Sequence, residues 1–477
     1  MTTLKKFLSG VAVAGLVAGT GSVVGTPAGL SATTADWLLA AQHVLLIGTD
    51  GTNLAKILEY AYNEDSGFKT AMDQGITGAA TEVNHTTISG PSWSTVLTGV
   101  WDDKHGVINN VFEPEPYDKW PTVFNLLEYH NPDIETTVIA DWDYINDMAA
   151  AGGYGADNNL FVPFQNSWAD TDAEVTSQTI AQILATTTNP NIDNFIFSYQ
   201  VQADEAGHSY GGGSAEYAQA VINVGANIQQ ILDAVAYARG ETGDDWSIII
   251  TTDHGHQMSL GFGHGFQSPN ETTQFVIFDQ AGDNATDGSQ NLNYSIADIT
   301  PTILQLFGVP LRSDFDGSPM FTDPSIVNSI VSPVDLKQSL TDAIAMYGYP
   351  NIGNDLALGL RTVVATIPYL LNGVVADIDK FLQGIVDQDI FLISGLAQAA
   401  QQVNDFFGGL SVDALQLMAR GVAYLTGAGV IQPTDAPLPP PGGSEATIIE
   451  SLLADHSLSA PDLSDSDLSG LLDALVG

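Results

Sequence analysis

Residues 43–52 read HVLLIGTDGT: an unbroken apolar run from His43 to Gly48, followed at once by a polar, glycine-rich turn that carries Asp50. A run this short and apolar on both faces marks a strand buried in a parallel sheet, where helices cover each side. The pattern returns at Asn194–Tyr199 (NFIFSY) and Trp246–Thr251 (WSIIIT), and more weakly at Thr136–Ala140 (TTVIA). Helical periodicity fills the intervals, over Leu54–Tyr62, Val123–Tyr129, Ala173–Ala185 and Ala215–Arg239. Strands alternating with helices predict an α/β fold over residues 40–325: a three-layer α/β/α sandwich around a mostly parallel central sheet.

In open sheets of this kind, ligands gather at the carboxyl ends of the strands. The chain places chemistry there three times. Asp50 sits in GTDGT, Asp204 and His208 lie four apart in DEAGH, and Asp253 and His254 are adjacent in TTDHGH; His264 follows in GFGHG. Three carboxylates and three imidazoles in glycine-rich turns make a mixed oxygen and nitrogen donor set, which suits zinc or a similar transition metal better than calcium. Any one of these residues alone reads as a helix cap or a surface histidine. Six together, in a chain with nine His, do not. His256, in the same loop, reads as a residue behind the ligands or facing solvent, and His105 as a buttress of the turn before Asn110.

A second element is Ser89-Gly90-Pro91-Ser92-Trp93-Ser94-Thr95-Val96-Leu97-Thr98-Gly99. Pro91 suits the first turn of a helix, which puts Ser89 at the helix N-terminus among free N–H groups. A serine beside a metal there can lose its proton and act as a nucleophile. Its local alternative is an ordinary N-cap.

Taken together, these residues resemble the alkaline phosphatase superfamily, and within it the type I phosphodiesterase / nucleotide pyrophosphatase family. That family's nucleophile stretch is similar to Ser89–Asn110: proline two residues after the nucleophile (Pro91), then Thr98-Gly99, His105-Gly106 and Asn110, with no gap needed. The segment Asp298–Val309 (DITPTILQLFGV) resembles a recurrent packing helix of the superfamily. The resemblance implies two divalent metal ions, best matched by zinc. Asp204, His208 and His264 would hold one; Asp50, Asp253, His254 and the Ser89 oxygen would hold the other. It also implies that Ser89 attacks phosphorus, that Asn110 helps hold a non-bridging oxygen, and that water hydrolyses the phosphoserine from the opposite side. Ser92, Trp93 and Ser94 depart from the family's usual residues, and the expectation is that they shape the pocket mouth.

Sulfatases share the fold and a Cys/Ser-x-Pro-x-Arg motif, but Trp93 stands where the arginine belongs. Phosphomonoesterases usually place a cation beside the nucleophile, and Ile88–Thr98 contains no Lys or Arg. Both comparisons favour a phosphodiester, with a nucleotide, lipid or other small-molecule phosphoester as substrate. The aromatic stretch Asp141–Trp168 could equally stack a ring or form a packed lid. A reading of another class is a non-catalytic envelope protein with a vestigial catalytic domain.

Composition bounds the rest. The 477 residues contain no Cys, so disulfides, thiolate metal sites and cysteine nucleophiles are excluded. A net charge of -44, from 12 Lys+Arg against 56 Asp+Glu, makes nucleic-acid binding an unexpected role. Lys5, Lys6 and the small apolar run Phe7–Val24 read as an export signal over residues 1–32, with Leu30-Ser31-Ala32 as a cleavage site and a membrane anchor as the alternative. The expected location is therefore secreted or cell-envelope. Residues 334–431 read as a helical extension, with helices expected over Leu356–Leu371 and Ile378–Phe407. It could pack on the catalytic domain, mediate self-association or associate with the envelope. Residues 432–477 read as a Pro-rich hinge (PTDAPLPPPGG, 433–443) and an acidic tail.

Overall fold

The computed structural model describes residues 41–427 apart from 190, 262, 349, 351 and 388–392; the expected export signal, Pro-rich hinge and acidic tail lie outside the described residues. Eight strands form one sheet: β1 (Gln42–Thr49), β2 (Ile76–Thr81), β3 (Glu135–Ala140), β4 (Asn158–Phe161), β5 (Asn194–Gln200), β6 (Asp245–Thr251), β7 (Thr273–Asp279) and β8 (Ser289–Gln290). Their spatial order is β4-β3-β5-β1-β6-β7-β2-β8. Only β7 runs against the rest, pairing antiparallel with β6 and β2.

The decisive stretch, β1, lies at the centre, hydrogen-bonded in parallel to β5 on one side and β6 on the other. Its apolar run serves two cores at once. Val44 and Leu46 point into one helical layer with Phe195, Phe197 and Ile249. Leu45 and Ile47 point into the other with Ile196, Ile248 and Ile250. All four β1 side chains are fully buried. Full burial of such a side chain stabilises by about 1.5–3 kcal/mol, so a polar residue at any of them would be strongly destabilising.

The expected strands are thus β1, β3, β5 and β6, extended by a residue or two. The helices over Trp168–Thr186 and Ala215–Thr242 pack against each other on one face of the sheet. Leu54–Tyr62 is less regular than its periodicity predicts: Leu54–Lys56 is α-helical and Ile57–Ala61 is π-helical.

After the sheet, two long helices, Ile352–Val386 and Ile393–Leu425, pack side by side as a hairpin. This corrects the expected single helix over Ile378–Phe407, because the chain leaves the helix at Val386 and re-enters at Ile393. The first helix is apolar and long enough over Ile352–Gly384 to cross a membrane by those two criteria alone. Yet its Arg361 is buried against the catalytic layer, with a nitrogen 3.0 Å from Asp102 Oδ2 and 3.1 Å from Thr86 Oγ1. Asn109 Nδ2 also donates to the Ala365 carbonyl (2.8 Å) and to Gln416 Oε1 (2.8 Å), stitching both hairpin helices to the segment that leads to Asn110.

Candidate active site

The carboxyl ends of β1, β5 and β6 converge, and the polar residues that follow each strand meet there. The turn after β1 needs Gly51. Its φ is +60°, and a Cβ would lie 2.5 Å from Asp204 Oδ1, so no larger residue lets β1 approach the β5 end so closely. Asp50 is buried, with Oδ2 accepting hydrogen bonds from Trp93 Nε1 (2.8 Å) and the Tyr199 hydroxyl. Asp253, fully buried, accepts from the Gly51 amide through Oδ1 (3.1 Å). Asp50 Oδ1 and Asp253 Oδ2 have no hydrogen-bond partner. An unpaired buried carboxylate oxygen is costly unless a cation is its partner.

His254 completes this group. Its Nδ1 is 3.1 Å from the Gly255 carbonyl, so Nδ1 carries the proton and the Nε2 lone pair faces inward. That Nε2 is 3.2 Å from Asp253 Oδ2, 3.9 Å from Asp50 Oδ1 and 3.2 Å from Ser89 Oγ. His264 repeats the arrangement: its Nδ1 faces the Thr87 carbonyl at 2.8 Å, and its Nε2 lies 3.1 Å from His208 Nε2. Carbonyl-anchored imidazoles with inward lone pairs are how metal-ligating histidines are oriented.

The second group is Asp204, His208, His256 and His264. Asp204 and His208 are not in a glycine-rich turn, as their sequence context suggested, but on the helix Gln202–Tyr210, where a spacing of four puts both on one face. His208 Nε2 is 3.3 Å from Asp204 Oδ2. His256 differs from its expected solvent-facing alternative. It is fully buried and its Nε2 lies 2.7 Å from Asp204 Oδ1. Gly207 makes room for it, since a Cβ there would sit 2.5 Å from the imidazole. The only hint in the sequence was the proximity of His256 to Asp253-His254, which does not fix where a loop residue points.

The electrostatics of the two groups differ. Burial, then the charges of Asp253 and Asp204, push the Asp50 carboxyl well above its usual range, and burial and Asp204 do the same to Asp253. Burial opposes ionising Asp204 too, but the charges and hydrogen bonds of His208 and His256 outweigh it and hold Asp204 well below the usual range. The Asp204 charge in turn lifts His208 to about 9, while burial lowers His254 to about 3. One group is therefore a crowd of carboxylates short of positive charge, which is the environment a divalent cation satisfies.

Ser89 lies at the start of the helix Ser89–Thr98, but the N-cap is Ile88 and no side chain caps that helix. The ordinary-cap alternative is thereby set aside: the hydroxyl points at His254 instead. Asn110 accepts from the Gly90 amide through Oδ1 at 2.7 Å, which fixes its side chain beside Ser89. Ser92 and Trp93 do not shape a pocket mouth. Both are fully buried, Ser92 Oγ donating to Glu82 Oε1 (2.8 Å) and Trp93 holding Asp50. His105 is buried, contacting the Val107 amide and Thr95 Oγ1, which is the buttressing position expected of it. A cleft of about 170 Å³ opens onto Asp50, Ser89, Asn110, Asp204, His208 and His264. Trp142, from the aromatic stretch, lines it, whereas Phe161 and Phe164 are exposed.

Residues 44–262 match the model of the type I phosphodiesterase / nucleotide pyrophosphatase family. That span contains every residue of the two groups except His264, which falls just beyond it. No curated protein matches the chain. Among solved structures, a 2-O GAG sulfatase is similar at 14% identity and a TM-score of 0.45, over 60% of this chain and 74% of that one. A protein solved with its substrate D-glucosamine-2-N,6-O-disulfate is similar at 14% identity and a TM-score of 0.44, over 61% and 81%. Murine ectonucleotide pyrophosphatase / phosphodiesterase 5, in an inactive form with AMP, is similar at 18% identity and a TM-score of 0.36, over 45% and 57%. The match over residues 44–262 identifies that part of the chain as similar to the type I phosphodiesterase / nucleotide pyrophosphatase family, and the protein as a hydrolase acting on ester bonds.

Proposed function

We propose that the protein is an exported phosphodiesterase that works through a phosphoserine at Ser89, with two zinc ions. Asp204, His208 and His264 would hold one ion, and Asp50, Asp253 and His254, with the Ser89 oxygen, the other. Cations bound there would supply Lewis-acid stabilisation of developing negative charge. His256 orients Asp204, and Trp93 and Tyr199 orient Asp50. Ser89 Oγ forms the new bond to phosphorus while the bond from phosphorus to the leaving alcohol breaks. Water then cleaves the phosphoserine and restores the hydroxyl. Asn110 and the amides at the helix start hold the charged equatorial oxygens.

The observation that carries this reading is the setting of Ser89. It is a buried hydroxyl with no capping bond, 3.2 Å from His254 Nε2 and next to two carboxylates that each keep one unpartnered oxygen. The preference for diesters rests on charge: no Lys or Arg lines the cleft among the described residues, so a dianionic monoester finds no added cation. Side-by-side kinetics on bis-(p-nitrophenyl) phosphate and p-nitrophenyl phosphate test this. Higher kcat/KM on the diester is expected, and higher efficiency on the monoester contradicts it. The export signal is tested separately, by the N-terminal sequence of protein recovered from the medium or envelope of the producing cell.

A further inference from the structure

The cleft has a wall that does not come from the catalytic layer. Thr362, Thr366 and Tyr369 of the hairpin helix Ile352–Val386 line it together with Asp50, Asp204 and His208. Their spacing of four and three puts them on one helical face. The wall is fixed in place. Thr362 Oγ1 donates to the Gly265 carbonyl, one residue from His264, and Gly265 has φ +96° with a Cβ position 2.5 Å from Thr362 Cγ2. One residue earlier, Arg361 is tied to Asp102. Thr366 Oγ1 donates to the Thr362 carbonyl at 2.7 Å. Tyr369 is 40% exposed, so its ring is open to a molecule entering the cleft it lines. It lines the same cleft as Asp204 and Glu205.

The chemistry of this wall is selective. Glu205 also lines the cleft, and the nearest cation of the hairpin, Arg361, is spent on Asp102. A substrate group that carried further phosphates would face carboxylates with no counter-charge. An uncharged ring would instead meet Tyr369 on the hairpin side and Trp142, which lines the same cleft from the catalytic layer. Aromatic faces bind rings through stacking and burial.

Resting on the phosphodiesterase reading above, we infer that Thr362, Thr366 and Tyr369 determine specificity. They select a phosphodiester whose organic group is an uncharged ring, and they reject one bearing additional phosphates. The hairpin is then part of the active site rather than an appendage to it.

The test uses the full zinc-supplemented chain. Calorimetric binding of bis-(p-nitrophenyl) phosphate and of dimethyl phosphate is measured on the Ser89→Ala protein and on Ser89→Ala with Tyr369→Ala. Removing Tyr369 should weaken the ring-bearing diester about tenfold and leave dimethyl phosphate unchanged. In the otherwise unaltered chain, Tyr369→Ala should raise KM for the ring-bearing diester by a similar factor while kcat stays within about threefold. Thr366→Lys should shift the kcat/KM ratio about tenfold towards ATP, by adding the missing cation. Melting temperatures of all variants identify any that fail to fold, and Tyr369→Phe, which keeps the ring, should bind like the parent. Equal affinities with and without Tyr369, or a parent chain that already prefers ATP, overturns the inference alone. If Ser89→Ala binds neither diester, the phosphodiesterase reading falls, and this inference with it.

Discussion

The strand-end cluster and the C-terminal hairpin line one cleft, yet they are built on opposite terms. In the cluster, each group is held by several others. Asp50 is gripped by Trp93 and Tyr199, His254 and His264 by backbone carbonyls, and Asp204 by two imidazoles. The hairpin is attached by a few polar ties, Arg361 among them, and by a small apolar cluster of Ile108 with Ala365, Ala419 and Ala423, while much of its remaining surface is apolar and exposed, including Leu360, Val363, Ile367 and Leu370. The difference teaches that catalysis and selection can be separated. On the proposed reading the cluster carries the chemistry, while the shape and charge of the cleft need both.

Disabling the cluster should have the largest effect. Asp50→Asn keeps the hydrogen-bond acceptor to Trp93 but halves the charge offered to one cation. Bound zinc, measured by elemental analysis, should fall by about one ion per chain. Turnover should drop by on the order of a thousandfold, while the hairpin stays in place. Disabling the hairpin gives a different signature. Arg361→Ala removes one partner of a buried ion pair and leaves Asp102 to His85 and Thr86, a change that costs at most about 3–5 kcal/mol. Denaturant unfolding should show that loss, and KM should rise with zinc content unaltered.

Trp93→Phe sharpens the comparison from the cluster's side. It keeps an aromatic ring near Phe197 and removes the indole N–H held by Asp50, along with part of a fully buried ring. Loss of such an orienting hydrogen bond typically weakens metal binding or activity by about 10–100-fold, which zinc competition against a chelating dye would read. The smallest expected effect is on pH dependence. Burial works against ionising Asp102, but the hydrogen bond and charge of His85, the Arg361 charge and the Thr86 hydroxyl prevail and hold its carboxyl well below the ordinary 3.8. A depressed carboxyl contributes stability that is fully present above the unfolded value and is lost as pH falls towards the folded one. The melting temperature should therefore decline on acidification below about pH 4, and less steeply in Asp102→Asn.

What the sequence revealed follows the same division. β1, β5 and β6 announce themselves because buried parallel strands must be apolar on both faces, and the ligand residues follow because such sheets expose their strand ends. β2 (ITGAAT) is too small and polar to register as a strand, and β4 is a half-exposed edge. β7 (TQFVIFD) is as apolar as its neighbours, but its sequence does not reveal that it runs against the rest of the sheet. Trp93 and His256 show the limit of motif reading. Their neighbours in sequence mark them as near the site, but only the packing of Gly48 against Trp93 and of Gly207 against His256 turns both side chains inward. The hairpin's role was hidden for a related reason. Thr362, Thr366 and Tyr369 carry no motif, and nothing in a helical periodicity says which other element its face will meet.

The central claim is tested most directly at Ser89. Zinc-loaded protein is mixed with bis-(p-nitrophenyl) phosphate and quenched in acid, and the peptide spanning Ser89 is examined by mass spectrometry alongside the Ser89→Ala variant. A phosphate on Ser89, with turnover abolished but zinc retained in the variant, is the predicted result. Full activity in Ser89→Ala, or an aldehyde in place of the serine, would contradict it.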